Sequence, residues 1–312
     1  MAGVAISARD RRIAEAGVLL TVLIWSGNFV VVKAAIGLVG PLTFTAARYG
    51  VAAVTLFLLL RWRQGTIRWP GRLGWQLVGL GMLGFGGYQV LWTVGLTQIT
   101  AGNSALIIAA SPVMVALLAG ALGLDRLTRP KLAGAIVAFA GVAIVIGAGH
   151  DLRLGASLAG DALTLSAAAL WALYTVSGTS VLRRIDPLGA TAWAVLGGFI
   201  VLLPLGAWEL VTSPPPAVVA PALAAILYSG MLAAGIANVL VFNAIRLIGP
   251  TRASAMQLLV PAGAVALGAI ALGESVGIAQ VAGGVVIVIG LSLTRSARVV
   301  PASLRARART AG

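Results

Sequence analysis

The sequence predicts an all-α polytopic membrane protein, ten transmembrane helices arranged as two inverted five-helix repeats, and three observations carry that prediction. The 312 residues are 60% hydrophobic and 10% charged, with a mean hydropathy of +1.03. Such a composition excludes a soluble globular domain. Apolar runs long enough to cross a bilayer recur ten times, and the two halves of the chain match one another at a nearly constant offset.

The runs fall approximately at 14–36, 42–61, 73–94, 102–122, 131–149, 159–182, 188–209, 221–244, 252–273 and 277–294. Each is close to the ~20 residues a helix needs to span the hydrocarbon. Barrel strands would instead be segments of ~10 residues with alternating character. The first run follows Arg11 and Arg12 and is too long for a signal-peptide core, so it is expected to remain as a helix. Pro41 and Pro187 stand just before the second and seventh runs. The third is rich in glycine at Gly79, Gly81, Gly84, Gly86 and Gly87, which allows close approach and bending. The fourth and ninth contain Pro112 and Pro261. A proline there frees the carbonyls of Ile108 and Gln257 and bends the helix, as a hinge or as a fixed curve.

Charge gives the orientation. With a cytoplasmic N-terminus, the inner segments hold 19 of the 22 lysines and arginines, from Arg9 to Arg12, Arg61 to Arg72, Arg126 to Lys131, Arg183 and Arg184, Arg246 and Arg252, and the tail from Arg295 onward. The outer loops hold Arg153, and Lys33 and Arg48 lie within spans. This asymmetry predicts a multi-pass protein of the inner (plasma) membrane with both termini cytoplasmic. The formal net charge of +14 is thereby a mark of the cytoplasmic face and not of nucleic-acid binding. Trp62, Trp69 and Trp75 read as interfacial anchors.

The stretch SPVMVALLAGALGLDR aligns with VPAGAVALGAIALGES, pairing Pro112 with Pro261, Asp125 with Glu274, Gly134 with Gly283 and Gly141 with Gly290 at an offset of 149. Trp25 pairs with Trp171 and Pro41 with Pro187 at an offset of 146. Because each unit has five helices, an odd number, the second enters the membrane from the opposite side. The expected division is a tail at 1–12, a first repeat at 13–149, an outer linker at 150–158, a second repeat at 159–295 and a basic tail at 296–312.

These stretches, with WSGNFVVVK, PLTFTAARY, KLAGAIVAFAG, ALWALYTVSG and ASAMQLLVPAGAVALGAIALGESVGIAQVAGG, resemble the EamA-type branch of the drug/metabolite transporter superfamily over nearly the whole chain. The resemblance implies a basket of ten helices around a central cavity, formed mainly by the first, third, fourth, sixth, eighth and ninth. It also implies movement of amino acids, other metabolites or toxic cations, largely outward. The chain departs from the family's Leu-Gly-Glu loop in its first half, which reads Gly123, Leu124, Asp125.

The candidate substrate-binding residues are Trp25, Asn28, Arg48, Tyr88, Trp92, Asn103, Ser111, Trp171, Tyr174, Asn238 and Gln257, with Pro112 and Pro261 as candidate hinges. Trp25 and Trp171, related by the repeat, are expected to face one another as apolar walls or to serve packing. Asn28 and its counterpart Tyr174 are either substrate contacts or interhelical hydrogen bonds. Arg48, about 9 Å deep at 1.5 Å per residue, has the neutral counterpart Ala194 and is a candidate anchor for an anionic group. Lys33, opposite Thr179 in the repeat, is a second such candidate or a side chain that snorkels to water.

All eight acids lie in tails, loops or helix ends, there is no cysteine, and His150 is the single histidine. Without a midplane carboxylate the sequence favours facilitated exchange or downhill efflux over a proton or sodium relay. It also favours a secondary transporter exporting a small, partly apolar metabolite over a membrane-embedded enzyme, a scaffold or a receptor. No enzyme activity, cofactor, metal or nucleic-acid partner is expected. The expected partners are a small-molecule substrate and the lipid bilayer, for a monomer or homodimer.

Overall fold

The computed structural model describes residues 8–124, 127–148, 156–182, 184–215, 220–248, 253 and 256–296. His150, Asp125, Arg153, most of the 150–158 linker and the 297–312 tail lie outside these residues.

The described residues form ten helices if interrupted ones are counted once. These are α1 (Ala8–Val39), α2 (Pro41–Gln64), α3 (Arg72–Leu96), α4 (Ala101–Ala121), α5 (Arg129–Ala148), α6 (Ala156–Leu182), α7 (Pro187–Thr212), α8 (Ala220–Ile248), α9 (Leu259–Leu272) and α10 (Ile278–Ser296). Eight contain a stretch long and apolar enough to cross a membrane, and α9 and α10 are shorter. Exposed Leu23, Ile136 and Ile270 clothe the outside in hydrocarbon, as a lipid solvent permits. Trp62, Trp69 and Trp75 are all exposed, Trp62 the most at 86%, and Trp69 also packs edge-on against Trp75 and Trp193.

Helix ends follow the sequence signals. Pro41 and Pro187 each occupy the first turn of their helix, where the missing N–H is harmless. Asp186 caps α7 by accepting from the Leu188 and Gly189 amides at 3.1 and 3.2 Å. Gly273 ends α9 in the left-handed conformation at φ 66, and Gly123 has a similar φ of 70 just past α4.

Four helices are irregular, in two repeat-related pairs. In α4 a turn at Ala109 and Ala110 separates Ala101–Ile108 from Ser111–Ala121, and in α9 a turn at Leu258 precedes Leu259–Leu272. Pro112 and Pro261 stand immediately after these breaks. In α3 and α8 the irregularity is π-helical, over Met82–Gly87 and Tyr228–Ile236. The second begins 146 residues after the first, which is the repeat offset.

Packing repeats the symmetry. α2 lies along α7 and α5 along α10, while α1 packs on α8 and α9 just as α6 packs on α3 and α4. Exchanging the repeats maps this set of neighbours onto itself, which is what an inverted repeat requires. The α5–α10 seam is built of the repeat-paired glycines. A Cβ on Gly141 would lie 2.8 Å from the Gly283 carbonyl oxygen, and one on Gly290 would lie 2.6 Å from that of Gly134. Backbones meet there directly, as small residues allow between membrane helices.

Candidate functional site

The bundle has a basic end, which carries Arg61, Arg63, Arg72 and Arg129, and a far end. The far end is tied by charges placed against helix termini. The Glu274 carboxylate accepts from the Ala101 and Gly102 amides at 2.8 and 3.2 Å, and Glu209 accepts from the Thr43 amide at 2.7 Å. Each is an acid of the second repeat at the positive N-terminus of a helix of the first. Glu209 also crowds Gly40, whose φ of 87 and lack of Cβ leave it room. Lys33 does not snorkel: its ammonium donates to the carbonyls of Leu96 and Ile99, both at 2.7 Å, at the negative C-terminal end of α3.

Deeper in the bundle four helices of both repeats converge on Arg48, which is 2% exposed. Its Nη1 donates to the Ser229 hydroxyl at 2.9 Å, and its Nη2 donates to the Gln89 carboxamide oxygen. The Ser229 hydroxyl in turn donates to Asn28 Oδ1 at 2.6 Å. Ser229 belongs to the π-helical segment of α8 and Gln89 follows that of α3, so both irregular segments deliver a partner to the same cation. π-helical turns recur at functional sites. The guanidinium also lies 5.2 to 5.8 Å from the ring centres of Tyr49, Trp92 and Phe44. Its Nε has no partner, and no carboxylate among the described residues pairs with it.

An aromatic wall runs on from this cation. Trp92 meets Phe29 edge-on at 5.4 Å and lies parallel to Tyr88 at 6.3 Å, and Tyr88 touches Trp171 at 5.4 Å. Trp171 packs on Tyr174 and Phe85, and Gly84 leaves the space that the Tyr174 ring fills. The Tyr174 hydroxyl is buried without a partner.

Asn28, Arg48, Tyr88, Trp92, Trp171 and Tyr174 therefore form one continuous surface. The other candidates stand apart from it. Trp25 and Trp171 do not make a ring contact: Trp25 donates through Nε1 to the Ala233 carbonyl at 3.0 Å, on α8. Asn238 donates to the carbonyls of Ala233 and Ala234, which the π-helical segment exposes. Asn103 accepts from Gln280 Nε2 at 2.6 Å and so fastens α4 to α10. Ser111 is buried where the second part of α4 begins, and Gln257 is half-buried at the turn before Pro261. Arg48 and the aromatic wall stand between the repeats, where the central cavity is expected. An apolar groove of about 660 Å³ lies instead on the flank between α2, α7 and α8, lined by Val51, Val54, Phe199 and Leu203 among others.

Ser229, Gln89, Ser104 and Gln280 are the polar residues that sequence reasoning leaves out of the site. Ser104 holds Trp92 by accepting from its Nε1 at 3.0 Å. Each of the four is a polar residue inside an apolar span, and that is the signal that would have found them.

Inverted five-helix halves, interrupted helices at equivalent positions and a buried cation between them define a membrane protein of the transporter class. The profile of the EamA-like transporter family matches residues 12–147 and again 158–296, and the chain belongs to that family. It is 30% identical to an uncharacterized transporter of Archaeoglobus fulgidus over 88% of this chain and 94% of that protein. It is 29% identical to a probable terminal-alkyne amino-acid exporter of Streptantibioticus cattleyicolor (82% and 84%). A probable amino-acid metabolite efflux pump of Salmonella typhimurium is 26% identical (88% and 91%). A crystal structure superposes with a TM-score of 0.64 over 92% of this chain and 98% of that one, at 20% identity, and supports the fold.

Proposed function

We propose that the protein is a secondary transporter that moves a small, partly apolar metabolite, an amino acid or a similar compound, outward across the inner membrane by alternating access. The observation that carries this reading is the guanidinium of Arg48, buried between helices of both repeats with a free Nε and no acid among the described residues to neutralise it. An ionic group at such depth is expensive and marks a ligand path. Two of the relatives carry names of exporters, which supports the direction.

In this reading Arg48, Asn28, Tyr88, Trp92, Trp171 and Tyr174 line the ligand's place, and the breaks before Pro112 and Pro261 are the hinges. The basic end faces the cytoplasm, in line with the loop cations. Release on the far side requires the Glu209 and Glu274 carboxylates to leave the helix termini of the opposite repeat. The test is loss of an isotope-labelled metabolite pool from liposomes holding the purified protein, with and without a pH gradient. Selective loss of a few compounds, equal under both conditions and abolished by Trp171→Ala, is the expected result. Retention of every compound at the level of protein-free liposomes overturns the reading.

A further inference from the structure

The charges at the centre do not balance, and the imbalance specifies what binds. Arginine stays protonated at any depth, and the partners of Arg48 are a hydroxyl and a carboxamide, both neutral. The described acids are engaged elsewhere or lie toward the helix ends: Glu15 pairs with Arg11, Asp186 caps α7, and Glu209 and Glu274 cap α2 and α4. Asp10 is in the first turn of α1, and Asp161 is near the start of α6.

Resting on the transporter reading, and narrowing its amino-acid-like class to compounds without a free ammonium, we propose that the ligand of Arg48 is a net organic anion, a carboxylate joined to an aromatic or flat apolar body, and not a zwitterion. The Nε and Nη2 hydrogens lie on one edge of a guanidinium and run parallel, matching the two oxygens of a carboxylate. On Arg48 that edge holds an orphaned Nε and a Nη2 spent on neutral Gln89. A carboxylate therefore displaces one carboxamide and takes both positions, while Nη1 keeps Ser229. Trp92, whose ring centre lies 5.4 Å from the guanidinium, leads on through Tyr88 and Trp171 as a surface for a flat body, and Tyr174, packed on Trp171, has an unpartnered hydroxyl with one hydrogen bond to offer. An ammonium group on the same ligand finds no acid here and is repelled by the guanidinium.

Three compounds of one shape separate the charges: phenyllactate (anion), phenylalanine (zwitterion) and phenyllactamide (neutral). Phenyllactate is expected to raise the melting temperature of the purified full-length protein, with a dissociation constant at least tenfold below those of the other two. Gln89→Glu, which supplies an internal carboxylate to the same edge without removing a side chain, is expected to keep the protein folded and weaken phenyllactate at least tenfold. Equal binding of the three, binding of none, or unchanged phenyllactate affinity in Gln89→Glu overturns the proposal. Liposomes separate the two levels of argument. Release of phenylalanine but not phenyllactate overturns the anion proposal and leaves the transporter reading standing. Phenyllactate that stabilises the protein but never leaves the liposomes supports the anion site and counts against transport.

Discussion

Replacing Ser229 by alanine removes one hydroxyl that serves two buried groups. It accepts from Arg48 Nη1 at 2.9 Å and donates to Asn28 Oδ1 at 2.6 Å. A hydrogen bond to a charged group contributes about 1.5–3 kcal/mol and one between neutral groups about 1 kcal/mol, so the single substitution is expected to cost about 2.5–4 kcal/mol. In an Arg48→Met background the cationic partner is already gone, and the same substitution is expected to cost about 1 kcal/mol. The difference, about 1.5–3 kcal/mol, is the coupling between the two residues. Reversible unfolding of all four proteins in mixed micelles measures it. A coupling below about 0.5 kcal/mol would refute the claim that Ser229 is there to hold the guanidinium.

Two further expectations come from other parts of the molecule. Gly283→Ala, on α10, places a methyl 2.8 Å from the Gly141 carbonyl oxygen and 3.0 Å from the Val145 nitrogen, whereas Gly147→Ala, on α5, meets nothing within 4 Å. The first is expected to lose about 1–3 kcal/mol to overpacking and the second to gain up to ~1 kcal/mol from helix propensity, read as melting temperatures that move in opposite directions. Because the chain has no cysteine, single cysteines report topology directly. In intact cells a membrane-impermeant maleimide is expected to label Ser213→Cys and not Arg63→Cys, and the opposite pattern would reverse the orientation.

The ten helices are legible in the sequence because lipid leaves the backbone no partner but itself, so hydropathy and helix coincide. The symmetric seam is legible too, since Gly134, Gly141, Gly283 and Gly290 lie close to the two-fold relation and meet across it. The same relation gives Trp25 and Trp171 no ring contact. A pseudo-two-fold makes two positions equivalent without bringing them together, and each tryptophan faces its own neighbours. Lys33 is misread for a related reason, because the carbonyls it binds belong to a helix end that only the tertiary fold brings near. The glycines of the third run mark a place that can bend, but composition does not specify that the bend is π-helical or that a matching one lies in α8. An α-helical phase puts Tyr88 and Trp92 on one face and turns Gln89 about 100° aside, so the residue that holds Arg48 is hidden from a helical projection.

A single cation at the heart of a two-fold arrangement has a consequence for ancestry. Two separate copies of one five-helix chain, paired antiparallel about a two-fold axis, obey exact symmetry, and any charge in one is duplicated in the other. Such a pair can place two guanidinium groups at its centre or none. Here Arg48 stands opposite Ala194, which is fully buried with its carbonyl against Gly81. The halves can differ there only once each has its own coding sequence, as the two repeats of this chain do. The lone positive charge is thus a property that duplication made available, and no homodimeric forerunner could have possessed it.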